Sequence, residues 1–219
     1  MNELLLRRRV ASAKSLPYDA EVEYIKTDGN GAYIDTLIEG TSNTGYDISM
    51  TMDELPYAAG NTVGFIFGAR VGNKNKSTAL YIYNNGGTGN YERGFGWRYG
   101  NKEVYRGFNP LWGDYSISNL TSKRVLVVNG NNITCDSATF SSGYNIYIFG
   151  ANNAGSFMAN VEQIRVLKYH YFKIYNGNTL VRDYIPVRKG TTGYMYDKVS
   201  KQLFGNAGTG SFILGPDKN

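Results

Sequence analysis

The sequence predicts an all-β fold, a two-sheet antiparallel sandwich of jelly-roll type, with a short N-terminal arm or helix ahead of it. Three observations predict it. Short runs rich in Tyr, Phe, Ile and Val recur along the chain, divided by clusters of Gly, Asn and Asp. Apolar and polar residues alternate within several of these runs. No long window carries helical periodicity, and no repeat of solenoid length is present. At 219 residues the chain is ordinary for one β-sandwich and long enough to bury a sizeable core. Its 19 Tyr and 10 Phe suit pleated, half-buried strands, and its 27 Gly suit the turns between them.

Taken in order, the strand-like runs are 21–25, 32–37, 46–52, 62–69, 79–83, 93–99, 114–117, 123–128, 145–149, 161–174, 180–186, 193–197 and 212–214. Turn clusters divide most of them, among them Asp28-Gly29-Asn30-Gly31, Asn84-Asn85-Gly86-Gly87, Asn129-Gly130-Asn131-Asn132 and Asn176-Gly177-Asn178. In the run from Tyr46 to Met52, the residues Tyr46, Ile48, Met50 and Met52 share one face; Asp47, Ser49 and Thr51 share the other. That is a strand with one buried side. Val125-Leu126-Val127-Val128 and Ile146-Tyr147-Ile148-Phe149 are continuous apolar runs, expected of strands covered on both faces or lining the core. Helical signals are confined to residues 2–14, enough for one or two turns, and to Met52-Asp53-Glu54-Leu55, a single turn closed by Pro56.

The net charge of +5 is unevenly placed. Residues 1–14 hold Arg7, Arg8, Arg9 and Lys14 against Glu3, which leaves only +2 for the other 205 residues. A near-neutral body with a basic arm is not a nucleic-acid-binding face. The chain accordingly divides into an N-terminal anchoring arm, residues 1–16, and a sandwich domain, residues 17–219. In the arm, Leu4, Leu5 and Leu6 supply apolar contact, and Arg7, Arg8 and Arg9 suit carboxylates or phosphates of a partner. This opening is not a secretory signal, which needs basic residues first and then roughly 7–15 apolar ones. No stretch approaches the roughly 20 apolar residues of a membrane span.

The inventory of reactive side chains is small. Cys135 is the single cysteine, so no intramolecular disulfide forms, and a buried apolar role is expected for it. His170 is the single histidine and sits in a strand-like run, which argues for a structural role. A Cys/His metal cluster and a Ser-His-Asp triad are nearly excluded on these counts alone.

The opening Tyr18-Asp19-Ala20-Glu21-Val22-Glu23-Tyr24-Ile25 and the following Gly31-Ala32-Tyr33-Ile34-Asp35-Thr36 resemble the start of concanavalin A-like, laminin-G-like jelly-roll domains. Tyr46–Met52 and Gly64–Arg70 look like the strands that follow. The stretches Phe172–Tyr175, Leu180–Arg188, Gly193–Asp197 and Leu203–Asn206 resemble the closing segment of such domains in proteins of gut bacteria and their phages. The resemblance covers about residues 17–215. The arm, Leu4 to Arg9, looks like that of virion proteins of Bacteroides-infecting phages, including the crAss-like group. The resemblance implies one concave and one convex sheet, and binding of glycan or protein rather than catalysis; fold alone does not establish function.

Glycosidases of this shape need two carboxylates flanking one bond. No central strand carries a Glu-x-Asp-x-(x)-Glu pattern; Glu21 and Glu23 share a face, but on the first strand, where a solvated face is expected. Gly86-Gly87-Thr88-Gly89-Asn90 lacks the Lys-Ser/Thr ending of a phosphate loop and reads as a plain loop. Gly205-Asn206-Ala207-Gly208-Thr209-Gly210 reads as the family's terminal turn. No cofactor is expected. Calcium is the one ion the resemblance allows, near Asp28, Asn30 and Asp35, although these residues fit turns better and no metal motif is present.

The strongest binding candidate is the segment Tyr91–Asn101. As a strand it places Arg93, Phe95, Trp97 and Tyr99 on one face, with Trp112 following. Aromatic rings stack on sugars while Arg hydrogen-bonds their hydroxyls, so Arg93, Trp97, Tyr99 and Trp112 are candidate glycan contacts. The competing reading puts Phe95, Trp97 and Tyr99 in the core, with the intervening small residues facing a close neighbour. It is the commoner use of such residues.

The sequence therefore predicts a non-enzymatic phage virion protein, on capsid, head fibre or tail. Other virion proteins would hold its arm, and its jelly roll would adhere to host-surface glycan. A homo-oligomer is expected of such an adhesin. A bacterial glycan-binding module and a jelly-roll glycoside hydrolase or lyase are the alternatives.

Overall fold

The computed structural model describes residues 16–54, 62–72, 75–84, 93–108, 112–136, 139–159 and 164–219. Most of the N-terminal arm, with Leu4 through Arg9, and the Gly86–Asn90 loop lie outside them. Nineteen strands are described. They are β1 Ala20–Glu21, β2 Ile25–Thr27, β3 Ile34–Thr41, β4 Thr44–Met52, β5 Thr62–Val71, β6 Asn75–Asn84, β7 Arg93–Gly100, β8 Lys102–Gly107, β9 Gly113–Ser118 and β10 Val125–Val128. The rest are β11 Asn131–Thr134, β12 Ser141–Ile148, β13 Ala151–Asn153, β14 Ser156–Met158, β15 Leu167–Asn176, β16 Thr179–Lys189, β17 Thr192–Asp197, β18 Gln202–Phe204 and β19 Phe212–Leu214.

They form two sheets. The first runs β11-β10-β9-β4-β15-β16-β17-β18, with β1 on β16 and β2 joining β15 to β19. The second runs β14-β13-β5-β6-β7-β8, and β12 pairs both β3 and β5. Pairing is antiparallel apart from β13 against β5. The fold is all-β, as the sequence predicts.

Period-two alternation decides which face of each strand enters the core. On β4, Tyr46, Ile48, Met50 and Met52 are fully buried while Asp47, Ser49 and Thr51 point outward. Across from them the second sheet presents Phe67, Leu80, Ile82, Phe95 and Trp97. The Tyr46 ring lies 4.6 Å from Phe67 and meets Trp97 edge-on at 6.2 Å. Phe172 of β15 meets Phe67 at 5.2 Å. Burying tyrosines here leaves hydroxyls to satisfy, and each finds a partner on the opposite sheet. Tyr46 Oη pairs with Thr78 Oγ1 at 2.9 Å, and Tyr169 Oη donates to the Ile66 carbonyl at 2.9 Å. Cys135 is buried in this core and its Sγ donates to the Trp97 carbonyl at 3.3 Å; burial pushes the thiol up to about 12.

Residues near the start of the described chain are tied to residues near its end. Thr36 Oγ1 donates to the Ile146 carbonyl, and the Thr36 carbonyl accepts from Tyr184 Oη and Arg182 Nε. Asn206 Oδ1 accepts from the Tyr33 N–H, and the Ala207 N–H donates back to the Tyr33 carbonyl. A Cβ at Gly208 would stand 2.2 Å from the Gly31 carbonyl oxygen, so only glycine lets this last loop close on the first. Asp197 accepts from the N–H groups of Asp183, Val199 and Ser200. Burial opposes its ionisation, but these donors outweigh burial and hold its carboxyl below the usual range.

One expectation needs correcting. Met52 closes β4, and Asp53 and Glu54 form no helical turn. Val125–Val128 lines the core, one of the two placements expected of it: Leu126 and Val128 are buried there, while Val125 and Val127, next to the outermost strand of the first sheet, are half-buried. The other continuous run is buried throughout, from Ile146 to Phe149.

Candidate functional site

Two of the four residues expected to contact glycan belong to the core. Trp97 is 0% exposed and Tyr99 is 3% exposed, because β7 turns its Phe95-Trp97-Tyr99 face toward the first sheet. Gly94, Gly96 and Arg98 occupy the other face. Tyr81 of β6 lies flat over Gly96, where an added Cβ would fall 2.0 Å from the ring carbon Cζ. The small residues do face a close neighbour, and Trp97 and Tyr99 have no surface on which a sugar could stack. Arg93 is half-buried at the start of β7. Trp112 is 43% exposed, just before β9.

The residues singled out for calcium serve turns. Asp28 accepts from the Asn30 and Ser211 N–H groups, and Asp35 accepts from the Leu37 N–H and from Asn145 Nδ2. Among the described residues no three His, Cys, Asp or Glu side chains gather as metal ligands. His170 stands where β15 slips register against β4, its Nε2 2.7 Å from Thr51 Oγ1 and its Nδ1 2.8 Å from the Glu23 carbonyl.

A cleft of about 470 Å³ opens at one end of the sandwich. Its walls are the β3–β4 hairpin, Thr139 and Phe140 ahead of β12, and the turn from β15 into β16 with Tyr175, Asn176 and Val181. Trp112 stands at the opposite end. Its neighbour Gly113 pairs with Met52, whereas Thr44, at the other limit of β4, pairs with Asn176. The length of β4 sets the two apart by roughly 25 Å.

Hydrogen bonds hold the cleft in shape from three sides. Thr44 Oγ1 accepts from the Thr41 N–H at 2.9 Å, and Thr41 Oγ1 accepts from the Asn43 N–H. The Ser42 N–H donates to the Phe140 carbonyl at 3.0 Å, and the Gly177 N–H donates to the Asn43 carbonyl at 2.9 Å. From beneath, Tyr99 Oη donates to the Ser42 carbonyl at 2.7 Å. Tyr99 thus supports the wall of the cleft from the core side without lining it. Glu39 accepts from Ser141 Oγ and, at 2.7 Å, from the Gly143 N–H through the same oxygen, Oε1.

Sequence reading missed this cleft. Its parts lie 144 residues apart at the extremes, from Leu37 to Val181, and most of its walls are short turns of unremarkable composition. The one local signal was Asn176-Gly177-Asn178, a hairpin turn.

The outward face of the second sheet holds a separate charged cluster. Arg98 pairs with Glu103, Tyr81 Oη donates to Glu103 Oε1 at 2.5 Å, and the Arg98 guanidinium lies over the Tyr81 and Phe65 rings at 5.1 and 5.6 Å. Burial would raise the Glu103 carboxyl, but the bonds from Tyr81 and Arg98 prevail and hold it below the usual range.

No protein-family model matches the chain, and no curated protein shows significant sequence similarity to it. Among the described residues no helix is long and apolar enough to cross a membrane.

Proposed function

We propose that this chain is a non-enzymatic adhesion protein of a phage virion, a concanavalin A-like jelly roll that binds host-surface glycan in the end cleft. The observation that carries the reading is the cleft itself, fixed in shape before any ligand arrives. Preformed sites lose little free energy to ordering when they bind. Its lining residues are of the kind that recognises sugars: Thr41, Ser42 and Thr139 carry hydroxyls, Asn43 and Asn176 carry amides, and Tyr175 carries an aromatic ring. Glycoside hydrolysis needs two carboxylates about the scissile bond, and among the described residues Glu39 is the single carboxylate lining this cleft. Virion attachment is supported by the composition of residues 1–16, three leucines followed by three arginines, which suits docking on other virion proteins.

A glycan array tests the proposal. Binding should be lost in Tyr175→Ala and in Asn43→Ala and kept in Trp112→Ala. Binding that survives in Tyr175→Ala and disappears in Trp112→Ala would move the site to the other end of the sandwich. Release of reducing ends from any bound polysaccharide would end the non-enzymatic reading.

A further inference from the structure

The cleft carries one charge, and its placement narrows the ligand. Among the described residues lining it, Glu39 is the only one charged at neutral pH; the others are hydroxyl, amide, aromatic or aliphatic. Nearby cations are engaged elsewhere. Arg182 reaches the Thr36 and Val181 carbonyls and Asp197, Lys173 pairs with Asp47, and Lys123 Nζ turns to the Leu120 carbonyl.

Glu39 is also oriented. Both bonds it accepts from protein end on Oε1, while Oε2 has no hydrogen-bond partner among the described residues. A carboxylate held by one oxygen offers the other as a fixed acceptor with two lone pairs. Two hydroxyl donors on adjacent carbons match that acceptor, and bonds to a charged acceptor are the strong kind. A carboxylate or sulfate on the ligand would instead meet a like charge with no cation in the cleft to offset it.

We infer that the cleft selects neutral, diol-bearing sugars and rejects uronate, sialate and sulfated ones, with Glu39 as the specificity-determining residue. This rests on the cleft being the glycan site, as proposed above.

The experiment ranks neutral oligosaccharides of mannose, galactose and glucose against sialylated, uronate-containing and sulfated ones by array, then titrates the best binder calorimetrically. The expected result is binding confined to neutral sugars and unchanged between low and high salt. Glu39→Gln keeps a carbonyl oxygen for Ser141 and Gly143 but puts an amide N–H₂ where the free acceptor was. It should weaken binding about tenfold or more, with the melting temperature unchanged. Acidic sugars binding as tightly as neutral ones, with loss in Tyr175→Ala, would overturn the selectivity and leave the cleft as the site. Binding of neutral sugars undiminished in a folded Glu39→Gln would remove Glu39 from the contact. No binding to any sugar, or binding indifferent to Tyr175→Ala, would overturn the cleft reading itself. The wild-type ranking stands whether or not a variant folds.

Discussion

On the first sheet, the outward positions of β4 and β15 are Asp47, Ser49, Thr51, Lys168, His170 and Lys173, all partly exposed. On the second sheet, the outward residues Phe65, Ala79, Tyr81 and Tyr83 of β5 and β6 are buried, and among the described outward apolar residues here only Val63, opposite Tyr83, opens to solvent. The charged pairs differ in the same way. Lys173 and Asp47 stand 3.3 Å apart with side chains 30% and 24% exposed. Arg98 and Glu103 are 13% and 6% exposed and are packed against aromatic rings. The first sheet behaves as a half-solvated surface. On the second, aromatic rings and the Arg98–Glu103 pair cover one another, so these outward residues carry the energetic weight of a small core.

Mutation should separate the two faces. The largest effect expected is from Tyr81→Ala, which empties a fully buried ring site and should cost about 3–4 kcal/mol in urea unfolding, against less than about 1 kcal/mol for Thr51→Ala on the first sheet. Equal costs would mean that the second sheet's outward cluster is not a core. Next is the charged pair. Glu103→Ala strands Arg98 in a buried setting and should cost about 3 kcal/mol, whereas Asp47→Ala should cost less than about 1 kcal/mol. The same carboxyl gives a pH signature. Its folded pKa is depressed, so its contribution is fully present above its unfolded value of about 4.3 and is lost as the pH falls through the lower folded value. The stability gap between wild type and Glu103→Gln should therefore be constant near neutral pH and close on acidification below about pH 4. The smallest effect expected is from Trp112→Ala, within about 0.5 kcal/mol, because its ring is half in solvent.

How far the sequence revealed these features depends on the range of the interaction behind each. The β4 alternation was legible because one strand's pattern encodes one buried face. The core placement of Trp97 was readable as an alternative because Gly94 and Gly96 leave space for a neighbour, although nothing local says the neighbour is Tyr81. The exposed edge strand β8 escaped notice since Lys102-Glu103-Val104-Tyr105-Arg106 is too polar to read as a strand. β13, β14 and β18 escaped as well, being only 3 residues each. The cleft was out of reach for a different reason. It is assembled from three turns whose contacts run mostly through backbone groups, which every residue carries and no sequence pattern marks.

The lone cysteine turns this architecture into its own gauge. Cys135 sits between the sheets with its sulfur on the Trp97 carbonyl, and its thiol is held protonated well past neutral pH. Only a thiolate in reach of solvent reacts with an alkylating reagent. The rate at which native protein is labelled therefore counts the openings, local at the β11 edge or global, that bring this sulfur to solvent. With one cysteine in the chain, every labelled molecule reports such an opening, and no engineered probe is needed to time it.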